Sequence, residues 1–314
     1  MARNAGQSDL QHALPVGIER LTNRVSKSTP KSSSEERCPN DRQIFSAEEL
    51  AIVLSRFDLG AIQSIQEFAR GSRRAPKVVL RCDQGTFLLK RRARGKDNPC
   101  RVAFSHELQL ALASKWFPLP HLVGTKKDNN SMLQHGGAIY ELFEYINGTS
   151  YNHSNAASAH AGKILAWFHR VLLDYEPMYE PSHGSYHAAP SVIKSLQAIP
   201  RTMGKLDACT AGERRSVNQI IRSLHATYKN AANNVDALGF LAWPTQIVHC
   251  DWHPGNMLFH ESRVTTVMDF DAARIEQRII DVANGALQFS MLTGGKDTST
   301  WPDGMDGSRY RCFV

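Results

Sequence analysis

The sequence predicts an α+β chain of two lobes, a small antiparallel sheet followed by a mainly helical part, and three observations carry that expectation. Residues 62–92 alternate apolar and polar side chains between turn signals, as strands do. After Asn147-Gly148 the apolar residues Ala161, Ile164, Leu165, Phe168 and Leu172 fall at the spacing of one buried helix face. Between Thr245 and Asp271 short apolar runs return, Ile247-Val248, Met257 to Phe259 and Val264 to Phe270, separated by polar turns.

Taken in order, residues 1–45 are rich in Ser, Asn, Arg and Pro without sustained apolar periodicity, and are predicted to be a disordered leader. Ser46-Ala47-Glu48-Glu49 has capping-box form and opens a helix carrying Leu50, Ile52, Val53 and Leu54. A meander of three strands is expected next, at Ile65 to Phe68, Lys77 to Cys82 and Thr86 to Lys90, with a turn at Asp83-Gln84-Gly85. A helix over Arg101 to Trp116 is stopped by Pro118 and Pro120. Two further strands fit Gly124 to Lys126 and Ala138 to Tyr145. The first lobe therefore covers 46–146 and the second 147–314, with a long helix over Ala211 to Ala237.

Composition narrows the function classes. The longest apolar runs, such as Ile164 to Phe168, fall far short of the roughly 20 residues of a membrane span, and no apolar stretch of a secretory signal follows Arg3. A cytoplasmic location is the default expectation. Six cysteines without a CxxC pair are read as free thiols, and Cys250 as a small half-apolar filler. The net charge of +7 is uneven: residues 70–101 hold eleven Lys or Arg against Asp83 and Asp97. Such a stretch suits phosphate-bearing ligands, an anionic surface or nucleic acid, and the surrounding motifs must choose.

The motif that chooses is His249-Cys250-Asp251-Trp252-His253-Pro254-Gly255-Asn256, followed by Asp269-Phe270-Asp271. An Asp and an Asn five apart in one loop, with a second acid returning after a short hairpin, supply hard oxygen ligands of the kind Mg²⁺ takes and leave Asp251 to face an acceptor hydroxyl. Phosphoryl transfer asks for little more: metal, a positioned lysine, and a carboxylate that orients the nucleophile. Read in isolation, Asp, Asn, Pro and Gly are also what ordinary turns use.

The pattern H-x-D-x-H-P-x-N followed by D-F-D resembles the catalytic loop and metal motif of the aminoglycoside phosphotransferase and choline kinase-like small-molecule kinases. That resemblance implies a protein-kinase-like two-lobed fold, with ATP and Mg²⁺ as cofactors. It implies Asp251 as catalytic base, Asn256 and Asp269 as metal ligands with Asp271 as a further one, and His249 as the prop of the loop. Lys90, in Phe87-Leu88-Leu89-Lys90, matches the lysine that holds the ATP phosphates, and Glu107 on the following helix its ion-pair partner. Ser72, in Arg70-Gly71-Ser72-Arg73-Arg74, is placed to cover phosphates, and Tyr140 to Ile146, including Glu144, matches the linker that receives adenine. His169 is expected as a packed core histidine and Asp281 as an acid bracing the loop. Such kinases carry further helices past Asn284 to Phe289, so the C-terminal helices are expected to be truncated.

The activity expected is transfer of the γ-phosphate of ATP to a hydroxyl of a small metabolite or aminoglycoside-like acceptor. An inactive nucleotide-binding module is the alternative. A nucleic-acid binder using residues 70–101 leaves the Asp251 to Asp271 motif unexplained and offers only Phe87 for stacking.

Overall fold

The computed structural model of the chain describes residues 42–203, 210–293, 300–302 and 304–314; the expected leader up to residue 41, Cys38 and Cys209 lie outside them. The described chain divides into two units, one running to Gly148 with Thr266–Met268, the other comprising Thr149–Thr265 and Asp269–Val314.

The first unit opens with α1 (Ala47–Leu54), and the capping box is formed: Ser46 Oγ accepts from the Glu49 N–H at 3.1 Å while the Glu49 carboxylate accepts from the Ser46 N–H. Its sheet contains β1 (Ile62–Glu67), β2 (Lys77–Cys82), β3 (Gly85–Arg91), β4 (Leu133–His135) and β5 (Ala138–Glu144), in the order β1-β2-β3-β5-β4, all neighbours antiparallel. Strand alternation sends Val78, Leu80, Phe87, Leu89, Tyr140 and Leu142 to one face, where they pack with Val53, Leu54 and Phe57 into one core. Leu80, Leu89 and Leu142 are fully buried there, and truncating any of them to Ala removes about 2–5 kcal/mol. The other face carries Val79, Leu88, Lys90 and Glu141, most of them only half-buried. Between β3 and β4 runs α2 (Pro99–Ser114), started by the Asn98 side chain and by Pro99 in its first turn.

One expected strand is absent. Gly124 to Lys126 lies in a turn held by Thr125, whose hydroxyl donates to Asp128 and accepts from the Asn130 N–H, and a side chain at position 124 would collide with Asn129. The strand on the outer edge of β5, away from β3, is β4, turned back at Gly136 and Gly137, both with positive φ.

The second unit contains α3 (Asn155–Val171), α4 (Pro190–Met203), α5 (Ala211–Ala237), β6 (Thr245–Val248), β7 (Met257–His260), β8 (Arg263–Val267), β9 (Arg274–Gln277), α6 (Ile279–Ser290) and α7 (Gly307–Phe313). β6 pairs antiparallel with β9, and β7 with β8. Its core is aromatic: Phe168 of α3, Trp252, Phe270 and His249 meet with ring centroids 5.1–6.4 Å apart. The Gly- and Asp-rich stretch near the C-terminus yields α7, which packs on α3 and α6. Phe313 stacks on Phe289, and its carbonyl sits so close to Gly162 that a Cβ there would lie 2.0 Å from it. Among the described residues no helix is long and apolar enough to cross a membrane.

Candidate active site

The expected site residues fall into two groups, one in each unit. In the first unit Lys90 and Arg91 are neighbours on β3 and point to opposite faces. Arg91 Nη1 donates to Glu49 Oε1 at 2.6 Å and its guanidinium covers the Phe45 ring, so it belongs to the α1 side of the sheet. Lys90 Nζ lies 3.2 Å from Glu141 Oε2, the residue directly opposite it in the β3–β5 ladder. Glu141 is completely buried and collects two further partners: Arg92 Nη2 at 2.6 Å and His106 Nε2 at 2.7 Å. Burial alone would push this carboxyl up, but the charge of Lys90, the His106 hydrogen bond and Arg92 outweigh it and hold it far below the usual carboxylate range.

Glu141 is the acid that sequence reading missed at Lys90. Glu107, expected in that role, is half-buried on α2 directly after His106. Ser72 is exposed in the turn between β1 and β2, where its hydroxyl accepts from the Arg74 N–H at 3.2 Å. The turn depends on Gly71, at φ +78, where an added Cβ would lie 2.8 Å from Lys77 Nζ. The same turn is tied back to the segment before α1, since the Gln43 N–H donates to the Arg73 carbonyl at 2.9 Å. Glu144 ends β5 with its N–H bonded to the His121 carbonyl and its side chain 3.2 Å from His121 Nδ1.

In the second unit the residues expected to form the catalytic loop make one hydrogen-bonded assembly. Asn256 Nδ2 donates to the Asp251 carbonyl at 3.0 Å and to Asp251 Oδ2 at 2.8 Å. Both contacts use nitrogen, so the carbonyl oxygen of that planar amide faces away from Asp251 as an acceptor. His253 Nδ1 accepts from the Gly255 N–H at 2.9 Å, which puts the ring proton on Nε2, 3.6 Å from Asp251 Oδ2. That contact is too long for a hydrogen bond but close in charge. His253 first, and then Asn256, hold the Asp251 carboxyl below its ordinary range against the cost of its partial burial. The carboxylate remains 43% exposed.

Behind the loop, His249 is fully buried, and its Nδ1 accepts from the Asp251 N–H at 3.3 Å. Asp281, also fully buried, accepts from the N–H groups of His249 and Cys250, each at 2.7 Å, and from His169 Nε2 at 3.0 Å. One carboxylate thus fixes the loop backbone to α3 and α6, and His169 serves that bracing rather than any ligand. Cys250 adopts φ +61, and its buried thiol is pushed up to about 12, first by burial and then by Asp281.

Asp269, exposed at φ +64, begins the short 3₁₀ turn Phe270–Ala272 that contains Asp271. Its charge contributes to raising His253, after the nearer carboxylate of Asp251. Asn256, Asp269 and Asp271 offer hard oxygens, and among the described residues no three His, Cys, Asp or Glu side chains gather to hold a metal by themselves. This donor set fits a cation that completes its octahedron with phosphate oxygens and water.

The fold is shared with solved phosphotransferases. The aminoglycoside phosphotransferase from Alicyclobacillus acidocaldarius is 20% identical, with a TM-score of 0.52 over 75% of this chain and 70% of that one. A spectinomycin phosphotransferase in complex with ADP and spectinomycin gives 0.57 at 12% identity, covering 85% and 77%. The amicoumacin kinase hAmiN, in complex with AMP-PNP, Ca²⁺ and Ami, gives 0.54 at 10% identity, covering 78% and 69%. No curated protein sequence matches the chain. The family model described as "Phosphotransferase enzyme family" matches residues 64–299, and on that match this chain belongs to the phosphotransferase enzyme family.

Proposed function

We propose that the chain transfers the γ-phosphate of ATP to a hydroxyl group of a small molecule, with Mg²⁺ as the metal. The observation that carries this reading is the Asp251–Asn256 contact: an amide that spends its nitrogen on the carboxylate keeps its oxygen free of that carboxylate, and that oxygen would serve as a metal ligand. Asn256, Asp269 and Asp271 would hold Mg²⁺, which neutralises phosphate charge when bound. Asp251, ionised over the neutral range and partly open to solvent, accepts the proton of the acceptor hydroxyl and orients its oxygen for in-line attack. Lys90 would hold the phosphates, anchored by Glu141 and, as the family resemblance implies, by Glu107. Ser72 and the Glu144 end of β5 serve as the phosphate cover and the adenine edge.

The basic run adds support, because its central members have structural partners: Lys90 and Arg92 lie on Glu141, and Arg91 on Glu49. A stretch so engaged is a poor nucleic-acid surface. The testing experiment incubates purified protein with ATP and a panel of hydroxylated metabolites, following ADP release and product mass, in Mg²⁺ and in EDTA. Acceptor-dependent transfer is expected in Mg²⁺ alone. Equal ATP affinity in both media would refute the metal assignment.

A further inference from the structure

The segment between α3 and α4 approaches the loop that carries Asp251 from its own unit and is fastened at Ser185, Tyr186, His187 and Ala189. The Ser185 hydroxyl donates to the buried carboxylate of Glu276 and accepts from the His187 N–H. His187 Nε2 lies 2.7 Å from Asp236 Oδ1, and its ring lies against Phe240. The Tyr228 hydroxyl of α5 donates to the Tyr186 carbonyl and accepts from the Ala189 N–H, both at 2.6 Å, while Ala188 is held at φ +47. A segment tied this often is preorganised.

What it presents is Tyr186. The Tyr186 hydroxyl donates to the Cys250 carbonyl at 3.3 Å, and Cys250 immediately precedes Asp251. The residue is 49% exposed even so. The Arg274 guanidinium lies over the ring, 5.0 Å from its centroid. We infer that Tyr186 positions the acceptor, and that the acceptor presents a neutral hydroxylated ring, such as a sugar or cyclitol, to it. This deepens the phosphotransferase reading above and rests on it.

Two features select that class. A flat aromatic face receives the C–H face of a ring while the ring's hydroxyls project in its plane, and one of them can then reach the half-open Asp251 carboxylate beside the Tyr186 anchor. Arg274 decides the charge: it already occupies the ring's negative quadrupole, and it repels a second cation stacked on the same ring. A polycationic acceptor therefore gains little here.

The test uses the full chain and its Tyr186→Phe, Tyr186→Ala and Arg274→Gln variants. MgATP binding is measured by calorimetry, and ADP release with myo-inositol, glucose and ribose as neutral rings, 2-deoxystreptamine as a cationic ring, and homoserine as an acyclic alcohol. A neutral ring is expected to raise ADP release above the acceptor-free rate. Its KM should rise about tenfold or more in Tyr186→Ala and stay within about threefold in Tyr186→Phe, which keeps the ring face. Arg274→Gln should narrow the preference for the neutral ring over 2-deoxystreptamine. Should Tyr186→Ala unfold, Tyr186→Leu carries the same comparison. Turnover confined to the cationic or acyclic acceptors, or a wild-type KM without the aromatic ring, overturns the inference and leaves the phosphotransferase reading standing. A chain that binds no MgATP brings down both.

Discussion

Replacing Glu141 by Gln keeps the shape of the side chain and deletes the charge on which Lys90, Arg92 and His106 converge. Both Glu141 and Arg92 are nearly inaccessible to water, so the guanidinium is left buried opposite a neutral amide. Breaking a buried pair by removing one partner costs about 3–5 kcal/mol. At roughly 4 °C per kcal/mol for a unit of this size, the melting temperature should fall by about 12–20 °C. Glu49→Gln is the control, since its pair with Arg91 is only partly buried and should cost about 1 kcal/mol or less. The pH dependence has a definite sign. The folded-state carboxyl titrates below its ordinary 4.5, so its contribution is complete above that pH and shrinks as pH falls further. Thermal denaturation by circular dichroism from pH 8 to pH 3 should therefore show a constant gap between wild type and Glu141→Gln down to about pH 4.5, and a narrowing gap below it. A loss under about 1 kcal/mol at pH 7, or a gap that widens in acid, would refute the reasoning.

Asp251→Asn should reduce phosphoryl transfer by roughly 10² to 10⁴ while ATP affinity changes only a few fold, because the proposed function gives this carboxylate to the acceptor and the metal to other residues; turnover and calorimetry on the same preparation decide it. Lys90→Ala should weaken nucleotide binding far more than Arg91→Ala, whose side chain lies on the Glu49 and Phe45 side of the sheet; equal losses in ATP affinity would mean that the basic run acts as a general field. Gly162→Ala places a methyl within 2.0 Å of the Phe313 carbonyl and should displace α7 at a cost of about 1–3 kcal/mol, read in urea denaturation, whereas Gly136→Ala meets no neighbour and loses only what its positive φ costs.

What could be read beforehand was local. The Ser46 box, the alternation that separates Lys90 from Arg91, and the spacing of Asp251 and Asn256 each lie within a few residues, where sequence specifies geometry directly. Asp281 was readable as a brace because it opens the next helix. Glu141 was not, since its place opposite Lys90 depends on β5 lying next to β3 in the sheet order, a pairing that no short window encodes. Gly124 to Lys126 misled because Thr125 looks like a strand former until its hydroxyl finds Asp128 and Asn130. α4 went unseen because Pro190 opens it and Pro200 interrupts it, and β9 because its four residues carry three polar side chains. Tyr186 lies in a segment with no period at all, ordered by bonds from α5, β9 and the catalytic loop.

The carboxylate of Asp281 has a consequence for timescale. Amide protons bonded to a fully buried charge cannot reach solvent through local fraying, because opening them strands an ion in the apolar interior. Hydrogen exchange at His249 and Cys250 is then limited by unfolding of the whole unit, so the backbone just ahead of Asp251 should rank with the slowest-exchanging amides in the chain. The backbone at His249 and Cys250 then has no ordering step to complete when ligands arrive.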